Sequence, residues 1–181
     1  MKFFGTTFVF DYPWHQVSIA HWRKYPNERA THVVSIDTLR REIDPETGVL
    51  RTERLITCRQ SAPHWILKFV GGGDSYVREV SEVDPRTNRE MLIIRSANLT
   101  FSHVVSVEEQ VVYRPAPDDP KHKTLFEQEA TFQAMASFTR LVNTKMEEWS
   151  VRRFSKNART GREGFEGVLA QIYEQREEQN G

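Results

Sequence analysis

The chain predicts an α+β fold: a curved antiparallel sheet of seven strands, a short helix near the N-terminus and a long helix near the C-terminus. Three observations carry this. Seven segments between residues 2 and 134 read as strands, most of them joined through tight turn sequences that make neighbours antiparallel. An early stretch around Trp14 to Trp22 changes to helical spacing. From about residue 136 the apolar period becomes three and four and stays so almost to the end. A helix laid across the concave face of such a sheet can leave a hollow, and periodicity alone does not say whether that space is filled.

The elements follow in order. Phe4, Phe8 and Phe10 share one parity over residues 2–11, a strand with one apolar face. Pro13 after Asp11-Tyr12 suits a helix start, and Trp14, Val17, Ile19-Ala20 and Trp22 continue it. That helix should stop near Lys24-Tyr25, because Pro26 disfavours the α region in the residue before it. Strands at about 31–43 and 49–60 meet through Asp44-Pro45-Glu46-Thr47-Gly48. A short apolar piece, Pro63 to Val70, runs into Gly71-Gly72-Gly73. A second hairpin pairs about 75–84 with 90–99, and strands at about 103–114 and 122–134 flank a proline-rich loop. The C-terminal helix covers about 136–176, as one helix or as two with a bend at Gly161 and Gly164.

With 181 residues the chain reads as a single domain, 1–181, large enough for a real core. Lysine plus arginine and aspartate plus glutamate number 25 each, so the net charge is zero, which argues against a general nucleic-acid binder. Cys58 is the only cysteine, which excludes an intrachain disulfide and a cysteine-based zinc site. The start lacks the apolar run of a signal peptide and the arginine-rich pattern of a mitochondrial presequence. No stretch approaches the roughly 20 apolar residues of a membrane span, and a soluble intracellular protein is expected.

Two blocks stand out: Lys24-Tyr25-Pro26-Asn27-Glu28 with His32, and Met146-Glu147-Glu148-Trp149-Ser150-Val151-Arg152-Arg153-Phe154. Each mixes aromatic and basic residues more densely than a core or a solvated face needs. Over residues 49–60, strict alternation puts Leu50, Thr52, Arg54, Ile56 and Cys58 on the more apolar face. A buried guanidinium needs a partner, so Arg54 meets either an internal carboxylate or a ligand anion. On the last helix, Arg152, Lys156 and Arg159 form an outer stripe, for solvent or an anionic membrane, while Arg153 and Asn157 lie near the apolar seam. Residues 62–73 read either as a lid hinged on glycines, with Trp65, Ile66, Leu67 and Phe69 exposed, or as a small core-packed helix. The six histidines show no metal-ligand spacing, no glycine-rich phosphate loop follows a strand, and Cys58 suits a structural thiol. No catalytic residue, metal or cofactor is expected.

The KYPNE segment with His32, Ser35-Ile36-Asp37, Thr52-Glu53-Arg54-Leu55-Ile56, Pro63 with Trp65, Arg78-Glu79-Val80-Ser81 and the MEEWSVRRF block resemble the PRELI-like lipid-transfer family. The likeness runs in order from about residue 1 to 173 and, in the wording of Lys24 to Glu28, Thr52 to Ile56 and Asn98-Leu99-Thr100, is closest to the slowmo branch. It implies a helix-grip-like fold enclosing a lipid pocket, and a non-enzymatic carrier of one phospholipid between the outer and inner mitochondrial membranes, in the intermembrane space. For the slowmo branch the implied cargo is phosphatidylserine; the sister PRELI branch carries phosphatidic acid. It further implies a heterodimer with a small helical protein stapled by twin Cys-x9-Cys disulfides, and transient peripheral membrane contact. By position, it implies headgroup contacts from Lys24, His32, Arg54, Arg59, Arg153 and Asn157, and a lid with Pro63, Trp65, Ile66, Leu67 and Phe69 against the membrane. The PRELI branch has a lysine about where Cys58 stands, a departure compatible with a different headgroup here. Strict alternation turns Arg59 outward unless a bulge intervenes. Two rivals remain: a cup-shaped enzyme with His32 or His103 as base, and an interaction module with a solid core.

Overall fold

The computed structural model describes residues 1–25, 27–59, 64–70, 73–86, 90–135 and 139–180, with the side chains of 66, 69, 70 and 174–180 outside the description. Its elements are β1 (Lys2–Phe10), α1 (Trp14–His21), β2 (Val33–Ile43), β3 (Leu50–Arg59), α2 (His64–Val70), β4 (Asp74–Asp84), β5 (Met91–Asn98), β6 (Val105–Pro115), β7 (Thr124–Ala134) and α3 (Arg140–Asn180). The strands form one antiparallel sheet in the order β1-β7-β6-β5-β4-β3-β2. Strands β2 to β7 are a meander of sequential neighbours, and β1 adds beside β7 with Lys2 opposite Phe132. The chain must therefore pass from one sheet edge to the other between β1 and β2. Helix α1 and the described residues that follow it make that crossing, which is why Lys24 and Asn27 lie on the same face as α3.

Helix α1 is shorter than the sequence predicts. Pro13 is itself the N-cap, extended at ψ 151°, with no side-chain cap. Beyond His21 the chain tightens into i to i+3 turns, Arg23 N–H to Ala20 O at 2.8 Å and Lys24 N–H to His21 O at 3.3 Å. The α-helical ladder stops there, ahead of Pro26. In β3 the expected face is buried at Thr52, Arg54 and Ile56. Register shifts in β2, at Val33/Ser35 and Thr38/Arg40, are the irregularities in its pairing with β3.

The inner face of the sheet has two halves of different bulk. Phe10, Tyr113, Phe126 and Phe165 pack at mutual ring distances of 5.1–6.2 Å, joined by Trp14, Val17, Leu92 and Leu169. The Trp14 indole N–H closes this core by donating to Tyr113 O at 3.1 Å. Toward the opposite strand ends the inward positions carry smaller groups: Cys58, Ser75, Val77, Asn98, Val105 and Val107. Phe154 of α3 stands edge-on to Phe4 and Phe132, both at 5.3 Å, and so docks that part of the helix on the β1/β7 side. Large rings crowd one half, and the other half is more open.

Helix α3 runs unbroken through Gly161 and Gly164, so one helix replaces the open choice between one and two. Gly164 answers to close approach: a Cβ there would lie 2.9 Å from Asn27 Oδ1 and 3.4 Å from Arg29 Cβ. Asn27 cannot easily yield, because its side chain donates to Lys24 O and accepts from the N–H groups of Arg29 and Ala30 at 2.7–3.0 Å. At Gly161 and Gly167 a Cβ would meet nothing within 4 Å. Gly164→Ala is expected to lose about 1–3 kcal/mol by overpacking. Gly161→Ala gains about 0.5–1 kcal/mol from helix propensity. Urea unfolding of the two variants beside the parent checks this contrast of sign.

Candidate functional site

Two adjoining cavities lie between the sheet and α3. The outer one, about 260 Å³, is walled by Val77, Phe101, Val104, Phe132, Met146, Trp149 and Phe154, with Arg59, Arg153, His32 and Asn157 among its polar residues. The inner one, about 220 Å³, reaches the aromatic core and is bordered by Lys24, Tyr25, His21, Glu79, Glu109 and Arg162. They share His32, Cys58, Val77, Phe154 and Asn157, so these residues form the waist of one elongated chamber. Each part far exceeds the roughly 10–15 Å³ that holds one water. Of the six headgroup residues implied by position, His32, Arg59, Arg153 and Asn157 line the outer cavity, and Lys24 joins His32 and Asn157 at the inner one. Arg59 is exposed, at the rim, its N–H bonded to His32 O at 2.8 Å.

Arg54 corrects the expectation. It is 5% exposed, lines neither cavity and is engaged internally: its Nε donates to Glu79 Oε1 at 2.9 Å, and the same oxygen takes Nη2. Its guanidinium also lies 5.0 Å from the Trp22 ring centre, with Arg41 at 4.6 Å from the same ring. The internal carboxylate is thus the partner. Since a guanidinium only donates, His21 Nε2, 3.0 Å from Arg54 Nη2, must be the acceptor, and the neutral ring carries its proton on Nδ1.

This pair begins a polar belt across the inner face that single-strand reasoning missed. Arg54 faces Glu79, Glu79 faces Ser96, and Ser96 faces Glu109 in consecutive registers. Ser96 Oγ donates to Glu109 Oε2 at 2.8 Å, and Gln128 Nε2 bonds the other carboxylate oxygen. The belt divides the aromatic core from the hollow half and gives the chamber a polar floor. Its residues alternate correctly within each strand, but only cross-strand register shows that they align.

Charge around the waist is set by burial and by neighbouring charges together. Burial works against the Lys24 ammonium, yet Tyr25, Tyr113, Glu109 and Glu79 outweigh it and hold the pKa above the ordinary lysine value. Burial, then Arg153 and Lys24, lower the His32 pKa. Burial lowers that of Arg153, whose guanidinium lies 5.3 Å from the Trp149 ring centre. Burial also raises the Cys58 thiol, against the pull of Arg153. Two cations and a neutral imidazole therefore surround a partly desolvated waist, an arrangement suited to an anion. The outer stripe of Arg152, Lys156 and Arg159 is exposed on α3, as its spacing predicts.

The segment 62–73 contains helix α2, with His64, Trp65 and Lys68 exposed and Leu67 half-buried. Pro63 and the side chains of Ile66 and Phe69 lie outside the described residues. Among the described residues no three His, Cys, Asp or Glu side chains are grouped to hold a metal ion.

A long helix gripped by a curved antiparallel sheet over a hollow defines a helix-grip-like fold. Solved structures share it: TTHA0849 from Thermus thermophilus has a TM-score of 0.61 at 13% identity, covering 95% of this chain and 99% of that one. A START superfamily protein from Mycobacterium smegmatis has a TM-score of 0.54 at 9% identity, covering 94% and 98%. The chain matches the PRELI-like family over residues 15–176 and belongs to it. It is 51% identical over 170 residues to the mitochondrial protein UPS2 of Saccharomyces cerevisiae, covering 93% of this chain and 73% of that protein. It is 36% identical over 165 residues to the slowmo homolog of Dictyostelium discoideum, covering 91% and 70%.

Two predictions follow from the belt. Glu79→Ala strands a buried guanidinium and should cost about 3–5 kcal/mol in urea unfolding. Arg54→Glu sets two carboxylates together on the buried floor, so its first effect is on folding. Burial first, then Arg54 and Lys24, hold the His21 pKa well below 6.5. The unfolded chain binds that proton more readily, so stability falls as pH drops through about 6.5 and levels off below the folded pKa. His32 adds in the same direction. The free energy of unfolding should fall between pH 7.5 and 5, by at most about 1.4 kcal/mol per pH unit per histidine. His21→Gln, which keeps an acceptor for Arg54, should flatten the profile.

Proposed function

We propose that the chain is a non-enzymatic phospholipid carrier that takes one phosphatidylserine-type lipid between the outer and inner mitochondrial membranes. The observation that carries this reading is the chamber itself: apolar walls, a polar floor and a cationic waist inside a PRELI-like fold. Extracting a two-chain lipid exposes about 30 methylenes at about 0.8 kcal/mol each, on the order of 25 kcal/mol in water. A carrier avoids that cost only if its cavity receives the chains as they leave the bilayer. The walls of Val77, Val104, Phe132, Met146 and Phe154 supply such a surface.

The phosphate sits at the waist, held by Arg153 and Lys24 with His32 and Asn157, while Arg59 attracts the headgroup from the rim. Arg54 acts through Glu79 and the fold. Helix α2, with Trp65 exposed, is the lid and touches the bilayer. Cys58, a thiol where the PRELI branch has a lysine, reduces the positive charge at the waist, which suits a headgroup carrying its own ammonium better than phosphatidic acid. The mitochondrial name of UPS2 supports the compartment. The intermembrane space and a twin Cys-x9-Cys partner in a heterodimer complete the reading. An enzyme in this cup would need a carboxylate to orient a base. His32 instead feels Arg153 and Lys24, and His21 is approached by Arg54.

Arg153→Glu is expected to cut phosphatidylserine transfer between liposomes by about tenfold or more, one charge-assisted contact being about 1.5–3 kcal/mol, while the far-UV spectrum is kept. Transfer at the parent rate by the folded variant would remove Arg153 from the site. A phosphatidic acid arm of the same assay decides the headgroup, and native mass spectrometry of lipid-exposed protein decides whether a lipid is carried at all.

A further inference from the structure

The antiparallel register gathers one set of strand ends around the outer cavity. Arg59 faces Asp74, Val77 faces Asn98, and Val105 faces Ala134, so β3 and β5 end where β4 and β6 begin and where β7 ends. Helix α2 joins β3 to β4 at this end, and α3 starts just past β7. Large apolar side chains stand exposed here: Trp65, Tyr76, Leu99 at 51%, Met135 at 53% and Leu141 at 66%. Singly they would need no explanation; together they ring the end of the molecule at which the cavity is lined by Thr100 and Phe101.

The β5–β6 turn is the most built part of that ring. Leu99 N–H donates to Tyr76 O at 2.8 Å, and Tyr76 N–H to Thr100 Oγ1 at 2.7 Å. Asn98 clamps the turn from inside, its Nδ2 donating to Thr100 O and Val105 O at 2.9 Å, its Oδ1 accepting from Val107 N–H at 2.7 Å. Within this frame Phe101 has φ +60°, a left-handed conformation that a bulky residue rarely adopts and glycine takes freely. A strained aromatic is thus held beside an exposed leucine, on a rigid turn at the cavity mouth.

Charge says what it meets. Arg59, Lys68, Arg140 and Lys145 are exposed at this end, against exposed Asp74 and, near Lys145 on α3, half-exposed Glu148. We propose that the turn from Leu99 to Val104 is a second membrane-insertion element, which with α2 seats the cavity mouth on an anionic bilayer. The inference rests on the carrier reading for its purpose but is tested without transport. The turn lies one strand over from the β3–β4 connection that carries α2, so a second point of insertion fixes the tilt of the chamber toward the lipid plane, which one helix alone cannot do.

The test is flotation of the full chain with vesicles of phosphatidylcholine and phosphatidylglycerol in equal parts. Leu99→Gln should weaken partitioning about tenfold, as expected for one buried leucine. Phe101→Gly should weaken it too, while its melting temperature stays level or rises because the left-handed strain is gone. Ile43→Gln, at an apolar residue still more exposed than Leu99 but at the far end of β2, should bind as the parent does. Parent-like binding by both turn variants, equal binding of the parent to pure phosphatidylcholine vesicles, or no binding by the parent overturns the proposal. So does a Leu99→Gln variant that binds vesicles normally but loses self-association or capture of a protein partner. Native mass spectrometry keeps the two readings apart: a parent that binds vesicles through the turn but never carries a phospholipid sinks the carrier and leaves the insertion element standing.

Discussion

The structure depends on a mismatch of side-chain size along the inner face of one sheet. At one end Phe10, Tyr113, Phe126 and Phe165 pack on one another and narrow the space between sheet and helix to the inner cavity; at the other, valines, Ser75, Cys58 and Asn98 leave the outer cavity open. Helix α3 is held at the full end by the aromatic cluster and along the β1/β7 side by Phe154 between Phe4 and Phe132. It cannot settle onto the hollow half without tearing those contacts apart. Close packing elsewhere is what keeps the chamber open, since a sheet anchored along one flank resists collapse.

The polar belt is the necessary boundary of this arrangement. A wholly apolar floor would present the hollow half as one more patch for the core to collapse into. Arg54 with Glu79, and Ser96 with Glu109 and Gln128, instead form two bonded groups that lie side by side in register across β3 to β7. The buried Arg54–Glu79 pair need not add net stability to have this effect, because removing either partner is far costlier than the pair is favourable. It also ties the end of α1, through His21, to the sheet floor and so positions the segment carrying Lys24.

Much of this was legible in the chain. Seven strands, their turns and the late helix follow from period and turn chemistry, and the inward face of β3 follows from alternation. The limits were physical. Arg54 was read correctly as buried and in need of an anion, but which anion depended on Glu79 lying opposite it, a matter of register that no single strand encodes. Gly161 and Gly164 look alike in sequence; only the crossing of residues 27–29 over α3 makes one indispensable and leaves the other in open space. Segment 62–73 held both a helical and a lid pattern, because an exposed amphipathic turn satisfies each. Arg153 and Asn157 were separable from Arg152, Lys156 and Arg159 because one side of a helix is a strict consequence of 100° per residue.

The charges that remain at the waist gain their effect from what surrounds them. Lys24 and Arg153 lie where burial lowers the cost of meeting an anion relative to water, and His32 between them is kept neutral by the same field. Arg152, Lys156 and Arg159, on the outer side of the same helix, are screened by solvent and hold an anion only weakly. On the proposed carrier reading, a lipid drawn by rim charge would gain most by moving inward past Arg59 to the waist, where its charged end would meet cations and its apolar part the walls. The gradient runs from weak, screened attraction at the surface to strong, desolvated attraction inside. That direction is built into the fold by the turn of one helix, and it is why basic residues on the same helix divide into an outer stripe and a site.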